Sequence, residues 1–130
     1  MNPQLISYLK QHSRSITTCR SDVFDVLALR GAVTMSDLIF GCIRSDKASV
    51  YRTVDLFRRL GMIHDVVIAG ERKIELTDRF SHHHHHITCL KCQETVSIDD
   101  GRLEEALAAI VAANGFSSTN HTVEINGVCP

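Results

Sequence analysis

The sequence predicts an α+β chain in two parts, and three observations carry that prediction. Residues 1–60 read as a succession of capped helices, each with an apolar stripe. Residues 62–76 change to β-branched alternation on either side of Ala69-Gly70. Near residues 77–81 the composition shifts again, into a strand, turn, strand, helix, strand pattern that holds most of the histidines. The expected division is therefore 1–78 and 79–130. Parts of about 60 residues are marginal on their own, so a metal ion or a dimer interface is expected to support them.

Each element has its own signal. Asn2 and Pro3 make an N-cap and first turn for a short helix carrying Leu5, Ile6 and Leu9. Thr17 or Thr18 caps a second helix with Val23, Phe24 and Leu27, closed by Gly31. Ser36 opens a third short segment with Leu38, Ile39 and Ile43. Ser45 or Asp46 caps a fourth helix, expected over 46–60, in which Val50, Val54 and Phe57 form a buried stripe and Gly61 ends the run. Residues 62–68 and 73–76 form a hairpin. In the second part, residues 95–98 alternate polar and apolar. Asp99 or Asp100 caps a helix running to Asn114, with Leu103, Leu107, Ile110 and Val111 on one face and Gly115 closing it. Val123 and Ile125 alternate with Glu124 and Asn126 in a last strand.

Three helices followed by a two-stranded hairpin make the winged helix-turn-helix pattern, with 46–60 as the recognition helix. Its polar face offers Lys47, Tyr51, Arg52, Arg58 and Arg59, opposed by Asp55. Residues near the start of such a helix enter the major groove, and cations further along meet phosphate. The plainer alternative is a solvated helix face.

Charge divides along the same boundary. Residues 1–80 hold 12 Lys/Arg against 9 Asp/Glu, whereas residues 81–130 hold 2 against 6. A polyanion would meet the first part, and the second could hold cations. The longest uninterrupted apolar stretch, residues 106–113, is far below the roughly 20 needed to span a bilayer. No charged segment followed by an apolar core lies near Met1, so no signal peptide is expected, and the expected location is cytoplasmic without membrane association. Five cysteines then suggest metal or redox roles rather than a disulfide framework. Cys19 and Cys42, in helical patterns, read as core residues.

The chemistry lies in residues 82–92. Five consecutive histidines, His82 to His86, stand three residues before Cys89-Leu90-Lys91-Cys92. An affinity tag normally sits at a terminus, whereas this run is internal and flanked by strand-forming sequence. In an extended chain alternate side chains face opposite ways, so His83 and His85 would serve one centre and His84 and His86 another. Cys89-x-x-Cys92 has the spacing of a zinc site, and Cys129 offers a third thiolate.

With these residues in view the chain resembles the ferric uptake regulator (Fur) family. The matching pieces are Ala48-Ser49-Val50-Tyr51-Arg52-Thr53-Val54, the histidine run leading into Cys89-Leu90-Lys91-Cys92, and Asn120-His121 ahead of Gly127-Val128-Cys129-Pro130. The resemblance covers nearly the whole chain. It implies a bacterial, homodimeric, metal-dependent repressor whose second part is the dimerisation domain. Its DNA target would be an AT-rich palindromic operator in double-stranded DNA near metal-homeostasis genes.

The resemblance also implies three metal sites. A structural Zn²⁺ would use Cys89, Cys92 and Cys129, with a further cysteine expected past Pro130. A second site would use His83, His85, Glu104 and His121. A regulatory site would use His84 and His86 with Glu75. Iron- and peroxide-sensing members often take a histidine where this chain has Ala32 and an acidic residue where it has Ser97. His64 lies where zinc-sensing relatives place a ligand. His64, Glu75, His84 and His86 would make a four-ligand set suited to Zn²⁺, while Fe²⁺ or Mn²⁺ remains the alternative for the regulatory ion. The other reading of His64 is a strand residue facing water.

For DNA, the resemblance implies that Tyr51 packs on a thymine methyl and Arg52 meets phosphate or base, with Ser49 a phosphate contact. The basic residue that relatives send into the minor groove aligns with Ser15, beside Arg14. Two rivals belong to other classes. A zinc hydrolase or deaminase needs an open metal position and an adjacent acid or base. Neither His-Glu-x-x-His nor His-x-Glu with Pro-Cys-x-x-Cys is found, so no enzyme is expected. A metal-buffering protein would explain the histidines but not Tyr51, Arg52 and the basic helix.

Overall fold

The computed structural model describes residues Met1–Pro130 and has the α+β architecture, divided into two compact units. The first comprises Met1–Val67 and Glu71–His82, and the second Ile68–Gly70 and His83–Pro130.

The first unit holds four helices, α1 (Pro3–Gln11), α2 (Thr18–Arg30), α3 (Met35–Gly41) and α4 (Lys47–Arg59). Each begins on a side chain that accepts from an otherwise unpaired backbone N–H. Asn2 Oδ1 takes the Gln4 N–H at 2.8 Å, Thr17 Oγ1 that of Arg20 at 3.2 Å, Thr34 Oγ1 that of Asp37 at 3.1 Å, and Asp46 Oδ1 that of Ser49 at 2.9 Å. Helix α3 thus starts at Met35 on a Thr34 cap, one residue earlier than the expected opening at Ser36. The threonine has the extended backbone of a cap and Ser36 is already helical. At Gly31, φ is 73°, which suits glycine where the chain leaves α2.

Strands β1 (Ile63–Ile68) and β2 (Glu71–Leu76) pair as the hairpin, with Ala69 and Gly70 both at positive φ, as a type I′ turn requires. Val33 adds a third, single-residue rung, exchanging backbone bonds of 3.0 and 2.8 Å with Ile74. The stripe of α4 (Val50, Val54, Phe57) closes with Leu5, Leu9, Phe24, Leu27 and Met62 into one apolar core. Phe80 is packed against that core, edge-on to both Tyr8 and Phe24. The Tyr8 hydroxyl donates to the Leu60 carbonyl at 2.6 Å and ties α1 to the end of α4. Cys42 is buried in this core, which pushes its thiol up to about 11 and leaves it protonated and inert.

The second unit is a three-stranded sheet in the order β4-β3-β5, with α5 (Gly101–Ala113) connecting β4 to β5 in sequence. Strand β3 (His85–Cys89) runs antiparallel to β4 (Thr95–Ile98) and parallel to β5 (Glu124–Gly127). The histidine run therefore leads into the central strand, and Cys89 ends it. Asp100 caps α5, accepting from the Arg102 N–H at 2.9 Å. The expected stripe on α5 is present in sequence but not buried in the single chain: no residue of α5 is buried, and Ile110 is 60% exposed. No helix is long and apolar enough to cross a membrane.

Candidate metal centres and nucleic-acid interface

The extended backbone through the histidine run sends alternate rings to opposite sides. On one side, His83 and His85 meet Glu104 from the first turn of α5 and His121 from the segment before β5. His83 Nε2 stands 3.1 Å from His85 Nε2 and 3.0 Å from His121 Nε2. Glu104 Oε1 lies 2.7 Å from His85 Nε2 and 3.2 Å from His83 Nε2, and its Oε2 lies 2.7 Å from His121 Nε2. Four donor atoms thus fall within 4.8 Å of one another. Ligands held tetrahedrally at 2.0–2.1 Å from a zinc ion stand about 3.3 Å apart, so this spacing fits such an ion. Burial resists ionisation of Glu104, but the bond from His85 and the charges of His83, His121 and His85 outweigh it, and its carboxyl lies below the ordinary value.

At the far end of β3, Cys89, Cys92 and Cys129 form a thiol cluster. The Cys129 Sγ is 3.5 Å from Cys89 Sγ and 3.9 Å from Cys92 Sγ. Thiolates at 2.3 Å from a tetrahedral zinc stand about 3.8 Å apart, again a fit. The pairing of Cys89 with Gly127 on β5 is what carries Cys129 to the Cys-x-x-Cys turn. Cys89 Sγ accepts the N–H groups of Cys92 and Cys129 at 3.4 and 3.5 Å. Together with a bond from the Lys91 N–H, these lower its thiol to about 6. Hydrogen bonding from Cys89 and Cys92, then their charge, raises Cys129 to about 11. The two backbone N–H groups aimed at Cys89 Sγ favour its ionised form and make it the natural first ligand of the group.

The remaining expected ligands form two pairs, one in each unit. In the first, His64 Nε2 on β1 lies 2.9 Å from Glu75 Oε1 on β2, and that bond, working against burial, raises the His64 pKa above its ordinary 6.5. In the second, the His84 and His86 rings stand edge to face with centroids 4.9 Å apart. His86 also meets a residue that the sequence reading did not single out as a site residue. Its Nδ1 is 3.3 Å from Glu124 Oε1.

The expected DNA residues fall in two groups. Tyr51 is 45% exposed on α4, with Lys47 Nζ 5.9 Å from its ring centroid. Arg14, Ser49 and Arg52 line a cleft of about 440 Å³ between the start of α2 and the outer side of α4. Arg20 and Arg59 line the same cleft and bring its guanidinium groups to four, with Asp55 the one acid on its wall. Arg52 donates to Ser49 Oγ at 3.2 Å, and Ser49 Oγ donates to Asp46 at 2.8 Å, so cap and cation are linked. Arg58, by contrast, is engaged by Asp55 and Asp65 at 3.3 and 3.1 Å. The sequence reading missed Arg20, whose only signal is its place in the first turn of α2. Seeing it requires knowing that α2 lies on α4, where Thr53 Oγ1 donates to Cys19 Sγ at 3.4 Å.

The family model described as the ferric uptake regulator family matches residues 13–126. The ferric uptake regulation protein of Vibrio vulnificus (strain CMCP6) is 34% identical over 83 residues, covering 63% of this chain and 54% of that protein. That of Escherichia coli (strain K12) is 32% identical over 83 residues, 63% of this chain and 55% of that protein. The chain thus matches about half the length of these curated relatives. Among solved structures, the ferric uptake regulator from Pseudomonas aeruginosa with manganese superposes with a TM-score of 0.79 at 21% identity, over 95% of this chain and 96% of that one. The Helicobacter pylori ferric uptake regulator Fur, described as having three functional metal binding sites, gives 0.74 at 20%, over 97% and 87%. A zinc-bound manganese uptake regulator gives 0.70 at 22%, over 98% and 99%. At these identities the structures establish the shared fold.

Proposed function

The chain belongs to the ferric uptake regulator family, and from that premise we propose that it is a metal-responsive, homodimeric, cytoplasmic repressor that senses zinc. It would bind AT-rich palindromic operators near metal-homeostasis genes. The observation that carries this reading is the convergence of His83, His85, Glu104 and His121 in a chain whose other unit presents a cleft of four arginines beside an exposed α4.

Bound metal would supply the positive charge that draws such donors together. Cys89, Cys92 and Cys129 are proposed as ligands of a structural zinc, with backbone N–H groups favouring the ionised form of Cys89 that such a ligand needs. His83, His85, Glu104 and His121 would hold a second ion. His64 with Glu75 and His84 with His86 are proposed, following the resemblance, as ligands of the sensed ion. The nitrogen-rich donor set favours zinc over an ion that prefers six oxygens. Losing the sensed ion would lower the fraction of dimers whose recognition helices match two half-sites.

On the DNA side, Tyr51 is proposed to pack on a thymine methyl and Arg52 to meet phosphate or base, with Lys47, Ser49 and Arg14 on phosphate or in the minor groove. Arg20 and Arg59 join them as phosphate contacts. A second copy of the chain is supported by the apolar side chains the second unit leaves uncovered, among them Val96, Ile110 and Ile125, 54%, 60% and 42% exposed.

Fluorescence anisotropy of an AT-rich palindromic duplex, titrated with protein in chelator, Zn²⁺ or Mn²⁺ at fixed salt, tests the reading. Tight binding that needs Zn²⁺ is expected. Equal or better binding with Mn²⁺ would move the protein to the iron- or manganese-sensing branch, and binding indifferent to metal would overturn the switch.

A further inference from the structure

We infer that Glu124 is a positioning residue: it holds the His86 imidazole by its Nδ1–H, so that Nε2 is the ring atom carrying the lone pair. The inference rests on the reading of His84 and His86 as ligands, and it names the group that sets the chemistry of one of them.

Two independent features place Glu124. Parallel pairing of β3 with β5 puts His86 and Glu124 directly opposite each other, and the side chains meet, Nδ1 to Oε1, at 3.3 Å. The His86 side chain is 6% exposed and that of Glu124 26%, so the carboxylate sits at the rim while the ring is inside. On its other flank His86 is paired with Ser97, a neutral side chain. Of its two strand neighbours, only Glu124 brings a carboxylate.

Two tautomers and two ring orientations are open to a neutral imidazole. A carboxylate accepts and cannot donate, so the bond selects the form with hydrogen on Nδ1. Turning the ring over would put carbon where Nε2 stands and lose the bond. The negative charge also makes Nε2 a better electron-pair donor, as carboxylates behind metal-bound histidines do.

The neighbouring ring is held the opposite way. His85 Nδ1 accepts the Val123 N–H at 3.1 Å, and its Nε2 faces Glu104 at 2.7 Å. Consecutive residues leading into β5 therefore set consecutive histidines of β3, one through the backbone and one through a side chain. Only the second can be removed by exchanging a side chain while the backbone donors stay in place.

The test uses the full chain as wild type, Glu124→Ala, Glu124→Gln and His86→Ala. Long-range ¹H–¹⁵N spectra of the metal-free protein read the tautomers directly. His86 should carry hydrogen on Nδ1 in wild type and in Glu124→Gln, whose amide oxygen still accepts, and should lose that preference in Glu124→Ala. Competition against a chromophoric chelator then measures Zn²⁺ affinity. The binding step that His86→Ala abolishes should weaken about 10–100-fold in Glu124→Ala and recover in Glu124→Gln. An unchanged tautomer, or an unchanged affinity in Glu124→Ala, overturns the positioning role. Zinc binding unaffected by His86→Ala would instead overturn the ligand reading, while the spectra still decide whether Glu124 holds the ring.

Discussion

The two units differ in what they bury. The first closes around Phe24, Phe57, Leu5, Leu9, Leu27 and Met62, all within 1% of complete burial. Within His83–Pro130 the buried residues are His85, His86, Thr88 and Cys89. An apolar interior stabilises by removing surface from water, at about 25 cal/mol per Å². A handful of imidazoles and a thiol does not, because polar groups gain little on burial beyond the bonds they make. The first unit therefore has the means to hold itself, whereas the second has donor atoms where a core would be and apolar side chains facing outward. That division of labour suits a sensor. Under the proposed function, the unit that would hold most of the metal ligands is also the one that would lean on a bound ion for its fold.

The largest expected effect tests that dependence. In Cys89→Ser, or in wild type stripped by a strong chelator, the second unit should lose its cooperative fold while the first keeps its own. Amide hydrogen exchange should show β3 and β5 losing protection, with α2, α4 and the hairpin protected as before. Protection of β3 that survives both treatments would break the contrast, since the second unit would then be standing without metal.

The converse substitution is next in size. Phe57 is fully buried at the centre of the first core, and Phe57→Ala should cost about 3–5 kcal/mol. Denaturant unfolding followed by exchange should place that loss in the α-helical unit. Zinc stoichiometry at the cysteines should be unchanged, because Cys89, Cys92 and Cys129 share no part of that core. A mutant that also lost the zinc would mean that the second unit leans on the first.

The contrast also explains what could be read from the sequence. Helix α4 was legible because Val50, Val54 and Phe57 repeat at the period of a helix, and the hairpin because Ala69-Gly70 interrupts β-branched residues. The two sides of the histidine run followed from strand alternation alone, and the structure brings His83 and His85 together with Glu104 and His121. Glu124 left no such signal, because its meeting with His86 depends on the register of two parallel strands 38 residues apart. Arg20 was hidden for a similar reason, since only the packing of α2 on α4 turns it into the cleft. The stripe of α5 showed amphipathy correctly, but periodicity does not tell whether the apolar face meets the same chain or another. Threonine and serine both cap helices, so the one-residue shift of the helix start, from Ser36 to Met35 behind the Thr34 cap, could be settled only by the backbone.

The smallest expected effect sharpens the contrast from the side of pH. His64 and Glu75 bond within the first unit, and the His64 pKa is raised, chiefly by that bond. A raised pKa means that the folded state binds the proton more tightly than the unfolded chain. The added stability is therefore complete below the ordinary 6.5 and disappears as pH rises through the elevated value. In chelator, the melting temperature of the first unit should fall across that interval, and His64→Gln should flatten the dependence. The ring is partly open to solvent, so the shift should stay below the roughly 4–8 °C that 1 kcal/mol gives in a domain of this size. Adding Zn²⁺ should suppress the dependence in wild type if His64 is a ligand, because a metal-bound nitrogen no longer takes the proton. A pH dependence that zinc leaves untouched would return His64 to an ordinary ion pair of the hairpin.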